Sequence, residues 1–137
     1  MWCITDAGRS TSRRARQTND CTVRALASAV GLAYDVAYDY LAGKGRKCGK
    51  GFHLQLLLND FPGVQKLAFP AQKGKPRMSL ASFITSHPSG TYVVRTAKHV
   101  QTVINGVIHD THQTRLSRCV YTAWRFEAID KELFDAK

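Results

Sequence analysis

Residues 98–111 read KHVQTVINGVIHDT, which is the pattern of a β-hairpin. Asn105-Gly106 is among the strongest short-range signals for a two-residue turn. The runs on either side of it, residues 98–104 and 107–111, are rich in β-branched residues, as strands are. The stretch therefore predicts two adjacent antiparallel strands, whose register is fixed by the turn.

The predicted register brings acid and base side chains together. Counting outward from the turn pairs Gln101 with Asp110 and His99 with His112. Because side chains alternate along a strand, these four residues share one face, and the opposite face is apolar and suits core packing. His99 and Asp110 are diagonal neighbours there, with Cβ atoms roughly 7 Å or less apart. Asp110 can then hold one ring nitrogen of His99 and leave the other for a thiol. The alternative is an ordinary polar strand face in contact with solvent.

A cysteine upstream of the hairpin offers the nucleophile that such a base needs. Asn19 or Asp20 can cap a helix that continues to Gly31, and Cys21 then lies in the first turn. Unpaired N–H groups and the helix dipole at that position favour an anion, so the pKa of the thiol is expected to fall. The alternative is a buried cysteine that packs as a small hydrophobic residue.

The remaining chain predicts helices in the first half and strands mostly in the second, which indicates the α+β class. We expect N-terminal helices packed on an antiparallel β-sheet. Further helices are predicted at residues 34–41, 52–59 and 80–86, and further strands at 64–69, 90–96 and 119–126. Residues 1–18 are predicted to form a basic N-terminal arm, and residues 19–137 a single domain. The acidic ending, residues 127–137, is predicted as a short helix or a loose tail.

The net charge of the chain is strongly positive, +10 with a sequence pI near 9.8. A surplus of this size attracts polyanions, nucleic acid above all, but it also occurs in basic enzymes. The basic residues cluster in two places: Arg9, Arg13, Arg14, Arg16 and Lys44, Arg46, Lys47, Lys50. Contact with nucleic acid through the basic arm therefore stays open.

Composition and motifs argue against several other classes. No apolar run approaches the ~20 residues that span a bilayer, and the N-terminus lacks a secretory apolar core, so a cytoplasmic location without membrane contact is expected. Four scattered cysteines without an export signal read as free thiols. Cys48 and His53 lack the paired spacing of a zinc site, so no metal is expected. The glycine-rich loop at residues 43–51 lacks the Gly-Lys-Ser/Thr ending of a phosphate loop, and no cofactor is expected. Such a loop could still border a cleft and favour acidic peptides.

Several of these segments resemble papain-like cysteine peptidases. Asn19-Asp20-Cys21 at a helix start is similar to the nucleophile segment of the bacteriocin-processing, double-glycine-leader peptidase family. The strands GTYVV (residues 90–94), KHV (98–100) and IHD (108–110) resemble the family's histidine and aspartate strands. The order Cys, His, Asp is the family's order, and the resemblance extends in outline over residues 17–124.

The resemblance implies a papain-like fold and a catalytic triad of Cys21, His99 and Asp110. It also implies an oxyanion-hole glutamine before the cysteine, for which Gln17 is the candidate and Asn19 a substitute, although Gln17 is closer to the cysteine than usual. The expected activity is that of a cysteine peptidase or related thiol amidohydrolase or acyltransferase on a protein or peptide substrate. The alternative is a non-enzymatic basic module that binds nucleic acid or a partner protein on a papain-like scaffold.

Overall fold

The structure, a computed structural model, describes residues 2–134 as a six-stranded sheet with helices on both faces. The α+β class is thereby confirmed. The strands are β1 (Trp2–Ile4), β2 (Val64–Ala68), β3 (Thr91–Thr96), β4 (His99–Ile104), β5 (Val107–Asp110) and β6 (Thr122–Phe126). The α-helices are α1 (Cys21–Val30), α2 (Tyr34–Gly43), α3 (Leu54–Leu58) and α4 (Leu80–Ser86), and short 3-10 helices cover Arg9–Thr11 and Lys131–Phe134. Residues 135–137 of the predicted ending lie outside the described residues.

The sheet has the strand order β1-β5-β4-β3-β6-β2, and the predicted hairpin lies within it as β4 and β5. Ile104 pairs with Val107 and Val103 with Ile108, so the predicted register is confirmed. The turn residue Asn105 adopts the left-handed conformation, with φ of 49°, that a two-residue hairpin favours. The pairs among β2 to β6 are antiparallel, but β1 pairs with β5 in parallel, so the sheet is mixed rather than purely antiparallel.

Residues 2–18 differ from the predicted N-terminal arm of residues 1–18, because several of them are bound to the domain. Trp2 pairs with Ile108 in the sheet. Arg14 binds Asp35 and Asp39 of α2 at 2.6 and 2.7 Å. A three-residue strand is too short to give a periodic signal, and its partners lie far away in sequence, so the pattern alone did not reveal this docking.

The core is divided between the two faces of the sheet. Helices α1, α2 and α3 pack on one face, around Trp124, and α4 packs on the other face, around Phe83. Val103 and Ile108 are buried under α4. The hairpin is thus buried on both sides, and the alternative of a polar face open to solvent is wrong for Gln101 and Asp110, each 2% exposed.

Helix α1 positions the candidate nucleophile and has the predicted limits. It begins at Cys21 and ends before Gly31, whose φ of 77° needs the left-handed region that glycine tolerates. Asp20 occupies the N-cap position, but its carboxylate does not cap the helix and accepts bonds from other side chains instead. All four cysteines are free thiols. Within residues 2–134, no helix has both the length and the apolar character needed to cross a bilayer.

Packing of α1 against the sheet should account for a large share of the stability. Leu26 is fully buried in this core, whereas Leu56 on α3 is 74% exposed. We expect Leu26→Ala to lower the free energy of unfolding by about 2–5 kcal/mol, since it leaves a cavity. The matched Leu56→Ala should change it by less than about 0.5 kcal/mol. Urea denaturation measures both changes. An equal loss of unfolding free energy in the two variants would contradict the described burial of Leu26.

Candidate active site

The thiol of Cys21 lies at the N-terminus of α1 and meets the start of β4. The His99 side chain and Val100 line the same cleft as this thiol. Burial alone raises the pKa of the thiol, but its interactions with His99, with the backbone of Val100 and with the Arg24 guanidinium outweigh burial, and the net pKa is lowered. The helix N-terminus acts in the same direction. The site therefore favours the thiolate, which is the attacking form.

His99 is held between the thiol and a carboxylate. Its Nε2 lies 2.6 Å from Oδ2 of Asp110, which leaves Nδ1 as the ring nitrogen available to Cys21. Burial lowers the pKa of the imidazole, but the bond to Asp110 and the interaction with the thiol outweigh it and raise the pKa to about 9. The raised pKa of His99 and the lowered pKa of Cys21 together favour an imidazolium beside a thiolate.

Asp110 is almost fully enclosed and remains a carboxylate because donors surround it. Arg24 Nη1 donates to Oδ1 at 2.7 Å, and Gln101 Nε2 donates to Oδ2 at 2.9 Å. The backbone N–H of Thr111 donates to Oδ1, also at 2.7 Å. Burial raises the pKa of Asp110, but the bonds from His99, Thr111 and Arg24 outweigh it and hold the pKa well below its usual range.

A second buried carboxylate, that of Asp20, anchors Arg24 from behind. The carboxylate of Asp20 accepts hydrogen bonds from three side chains. Their donors are Arg24 Nε at 3.1 Å, Arg9 Nη1 at 3.0 Å and the hydroxyl of Tyr34 at 2.8 Å. The guanidinium of Arg24 therefore links Asp20 to Asp110. Sequence reasoning missed this link, although the i, i+4 spacing of Asp20 and Arg24 on a helix is a signal for such a pair.

The structure does not bring the predicted oxyanion-hole residues into the Cys21 cleft. Gln17 Nε2 donates to Cys48 Sγ at 3.4 Å, and its Oε1 accepts from the N–H of Gly49 at 2.7 Å. Asn19 Nδ2 donates to the carbonyl of Gly49 at 2.9 Å. Both amides thus hold the glycine-rich loop, and Gln17 lines a separate cavity with Cys48. The physical reason is that Gln17 and Asn19 find hydrogen-bond partners at Cys48 and Gly49. These contacts are distant in sequence, so nearness to Cys21 in the chain did not predict them.

The thiol opens into a cleft of about 440 Å³. Phe52 and Val100 supply apolar walls, Gly51 brings in the end of the glycine-rich loop, and Arg95 and Lys98 supply cations. The lining contains no Asp or Glu. His112, which the predicted register places opposite His99, contacts the hydroxyl of Thr111 at 3.0 Å. Within residues 2–134, no cluster of three or more His, Cys, Asp or Glu side chains could hold a metal ion.

Comparisons with protein-family models, with curated proteins and with solved structures find no match for this chain. The resemblance to double-glycine-leader peptidases therefore stays a hypothesis. The function has to be inferred from the contacts of Cys21, His99 and Asp110 themselves.

The pKa of His99 gives a testable pH dependence. A folded value of about 9 against an ordinary 6.5 means that the folded state keeps a proton that the unfolded chain releases. This stabilisation is complete below about pH 6.5 and is lost as the pH rises through about 9. Asp110→Asn removes the charge support, so we expect the pKa of His99 to fall by at least 1 unit, an order-of-magnitude figure for one lost ion pair.

NMR titration of the imidazole protons measures the pKa of His99 in both proteins. His109 serves as the internal control, because its pKa is lowered by burial rather than by Asp110. An unchanged His99 titration in Asp110→Asn would contradict the described pairing.

Proposed function

We propose that this chain is a cysteine hydrolase of the papain-like type, which cleaves a peptide or isopeptide amide bond. The observation that carries the proposal is that Cys21 and His99 line one cleft, with the far side of the His99 ring bonded to Asp110 at 2.6 Å. Nucleophile, acid–base group and orienting carboxylate stand in the order that thiol catalysis needs. The mixed sheet with α1 against the His99 strand is compatible with a papain-like fold, which is part of the proposal.

In the first step the thiolate of Cys21 attacks the carbonyl carbon and a C–S bond forms. The tetrahedral intermediate collapses, the C–N bond breaks, and the imidazolium of His99 gives its Nδ1 proton to the departing amine. The product is a thioester on Cys21 and a free amine. Asp110 keeps the ring oriented and stabilises its charged form throughout.

In the second step the now neutral His99 takes a proton from water, and the resulting hydroxide attacks the thioester carbon. The C–S bond breaks, the acyl group leaves as a carboxylic acid, and the thiolate and imidazolium are restored. An acceptor amine in place of water gives acyl transfer with the same groups. Both outcomes use one site.

The negative oxygen of the intermediate needs donors beside the thiol. The first N–H groups of a helix have no carbonyl partner within it, and Cys21 is the first residue of α1. Its own backbone N–H is therefore our candidate donor. Gln17 and Asn19 are less suited to this role, because their amides bind the loop at residues 48–49.

The alternative, a basic module for nucleic acid, is favoured by the net charge of +10. Part of that positive charge is, however, neutralised by ion pairs within the protein. Arg9 binds Asp20, and Arg14 binds Asp35 and Asp39, so these arginines of the N-terminal segment are tied to carboxylates. A buried acid–base pair beside a thiol is a more specific arrangement than a basic surface.

The proposal predicts that Cys21→Ala and His99→Gln each lose activity while remaining folded. We expect a loss of about a thousandfold or more, since the members of such a triad act as a unit. The measurement is the appearance of new amino groups from denatured casein, read with fluorescamine. Cys119→Ala is the matched control, because Cys119 is an exposed free thiol outside the cleft.

Binding to single-stranded DNA tests the alternative on the same variants. A thiol enzyme predicts that Cys21→Ala loses casein cleavage whatever its affinity for DNA. Full casein cleavage by Cys21→Ala would refute the proposed function. A wild-type protein without any cleavage, but with DNA affinity that falls steeply with salt, would support the alternative.

A further inference from the structure

The Cys21 cleft has two cations without a carboxylate partner among residues 2–134. Arg95 and Lys98 both line it, and neither makes an ion pair with an acid of the described part of the chain. Asp110 lies behind His99 and is already bound by Arg24. A cleft lined by charges of one sign concentrates ligands of the opposite sign.

The backbone of Lys98 supports a functional role for its side chain. Lys98 follows Ala97 in the tight connection between β3 and β4, and its φ of 56° lies in the left-handed region. Non-glycine residues are uncommon there, and glycine would adopt this conformation without the steric cost. A strained, charged residue directly before His99 and at the cleft suggests that its charge is used.

The cationic surface continues beyond the cleft. Arg95 and Arg77 both lie over the ring of Tyr121, with guanidinium carbons 5.6 and 4.6 Å from its centre. Arg77 and Lys75 line a neighbouring cavity of about 390 Å³, whose lining also contains no Asp or Glu. Cations in both cavities, joined through contacts with Tyr121, fit an extended chain with several negative side chains better than they fit one small acid.

We infer that the Cys21 cleft selects acidic peptides, with Arg95 and Lys98 binding a carboxylate side chain close to the bond that is cleaved. This inference rests on the proposed function, which supplies the peptide bond at Cys21. The cations of the neighbouring cavity bind further carboxylates of the same peptide. The glycine-rich loop contributes Gly51 to the cleft, but its lysines are not part of the lining.

Alkylation by a charged and a neutral reagent tests the inference. Iodoacetate and iodoacetamide both form an S–CH₂ bond at Cys21 and release iodide, and they differ mainly in the carboxylate. Mass spectrometry gives both rates for each cysteine at pH 7 and low salt. We expect the ratio of the iodoacetate rate to the iodoacetamide rate at Cys21 to fall about threefold in Arg95→Gln, and by a similar factor in Lys98→Gly. This is the effect of removing one unit charge about 6 Å from the reagent in a high dielectric.

Lys66→Gln is the matched control, since it removes an exposed cation of β2 that is outside the cleft lining. Its ratio should equal that of the wild type. Lys98→Gly should also be at least as stable to urea as the wild type, because glycine relieves the left-handed backbone. A ratio that falls together with the stability would point to damaged structure and overturn the role of Lys98.

The two levels of the proposal fail in different ways. If iodoacetamide modifies Cys21 no faster than the exposed Cys3, the proposed thiolate is wrong. If Cys21 reacts fast but its ratio is the same in wild type, Arg95→Gln and Lys98→Gly, only the substrate inference is wrong.

Competing polymers identify the class of ligand. Deca-glutamate should slow the iodoacetamide reaction of Cys21 and deca-glutamine should not. The protection by deca-glutamate should be weaker in Arg95→Gln. Protection by a 20-nucleotide single-stranded DNA, without protection by deca-glutamate, would overturn the inference in favour of nucleic acid.

Discussion

The carboxylate of Asp110 is the constraint on which the candidate site depends. It is buried at the end of β5, where an unpaired charge would be costly, so it needs several donors at once. Those donors come from α1 through Arg24, from β4 through His99 and Gln101, and from the backbone of Thr111. Satisfying one charge therefore fixes the helix that carries Cys21 against the strand that carries His99. Stability and the proposed chemistry share this contact.

The same arrangement separates the roles of the positive charges. Arg24 and Arg9 neutralise buried carboxylates and belong to the fold. Arg95 and Lys98 have no such partner within residues 2–134 and face the cleft. The net charge of the chain is thus a sum of unlike contributions, and its size alone says little about the ligand. The positions of the cations without a carboxylate partner are more informative about the ligand.

Much of this architecture followed from local signals in the sequence. Asn105-Gly106 predicted the hairpin and its register, and alternation then placed His99 diagonal to Asp110. Gly31 marked the end of α1. What the sequence did not predict depends on partners distant in the chain. The short strand β1 has no periodicity of its own, the Arg24 link is a tertiary contact, and Gln17 found its partners in the glycine-rich loop.

The central claim is that His99 stabilises the thiolate form of Cys21 and so lowers the pKa of its thiol. Thiolates absorb ultraviolet light at about 240 nm, so absorbance can be followed as the pH is raised. Subtracting the titration curve of Cys21→Ser from that of the wild type isolates the ionisation of Cys21 and gives its pKa. We predict that Cys21 titrates below the ordinary thiol value of 9.0, and that His99→Gln moves its titration back toward that value. A Cys21 thiol that titrates at 9.0 or above in the wild type, or that titrates identically in His99→Gln, would contradict the account.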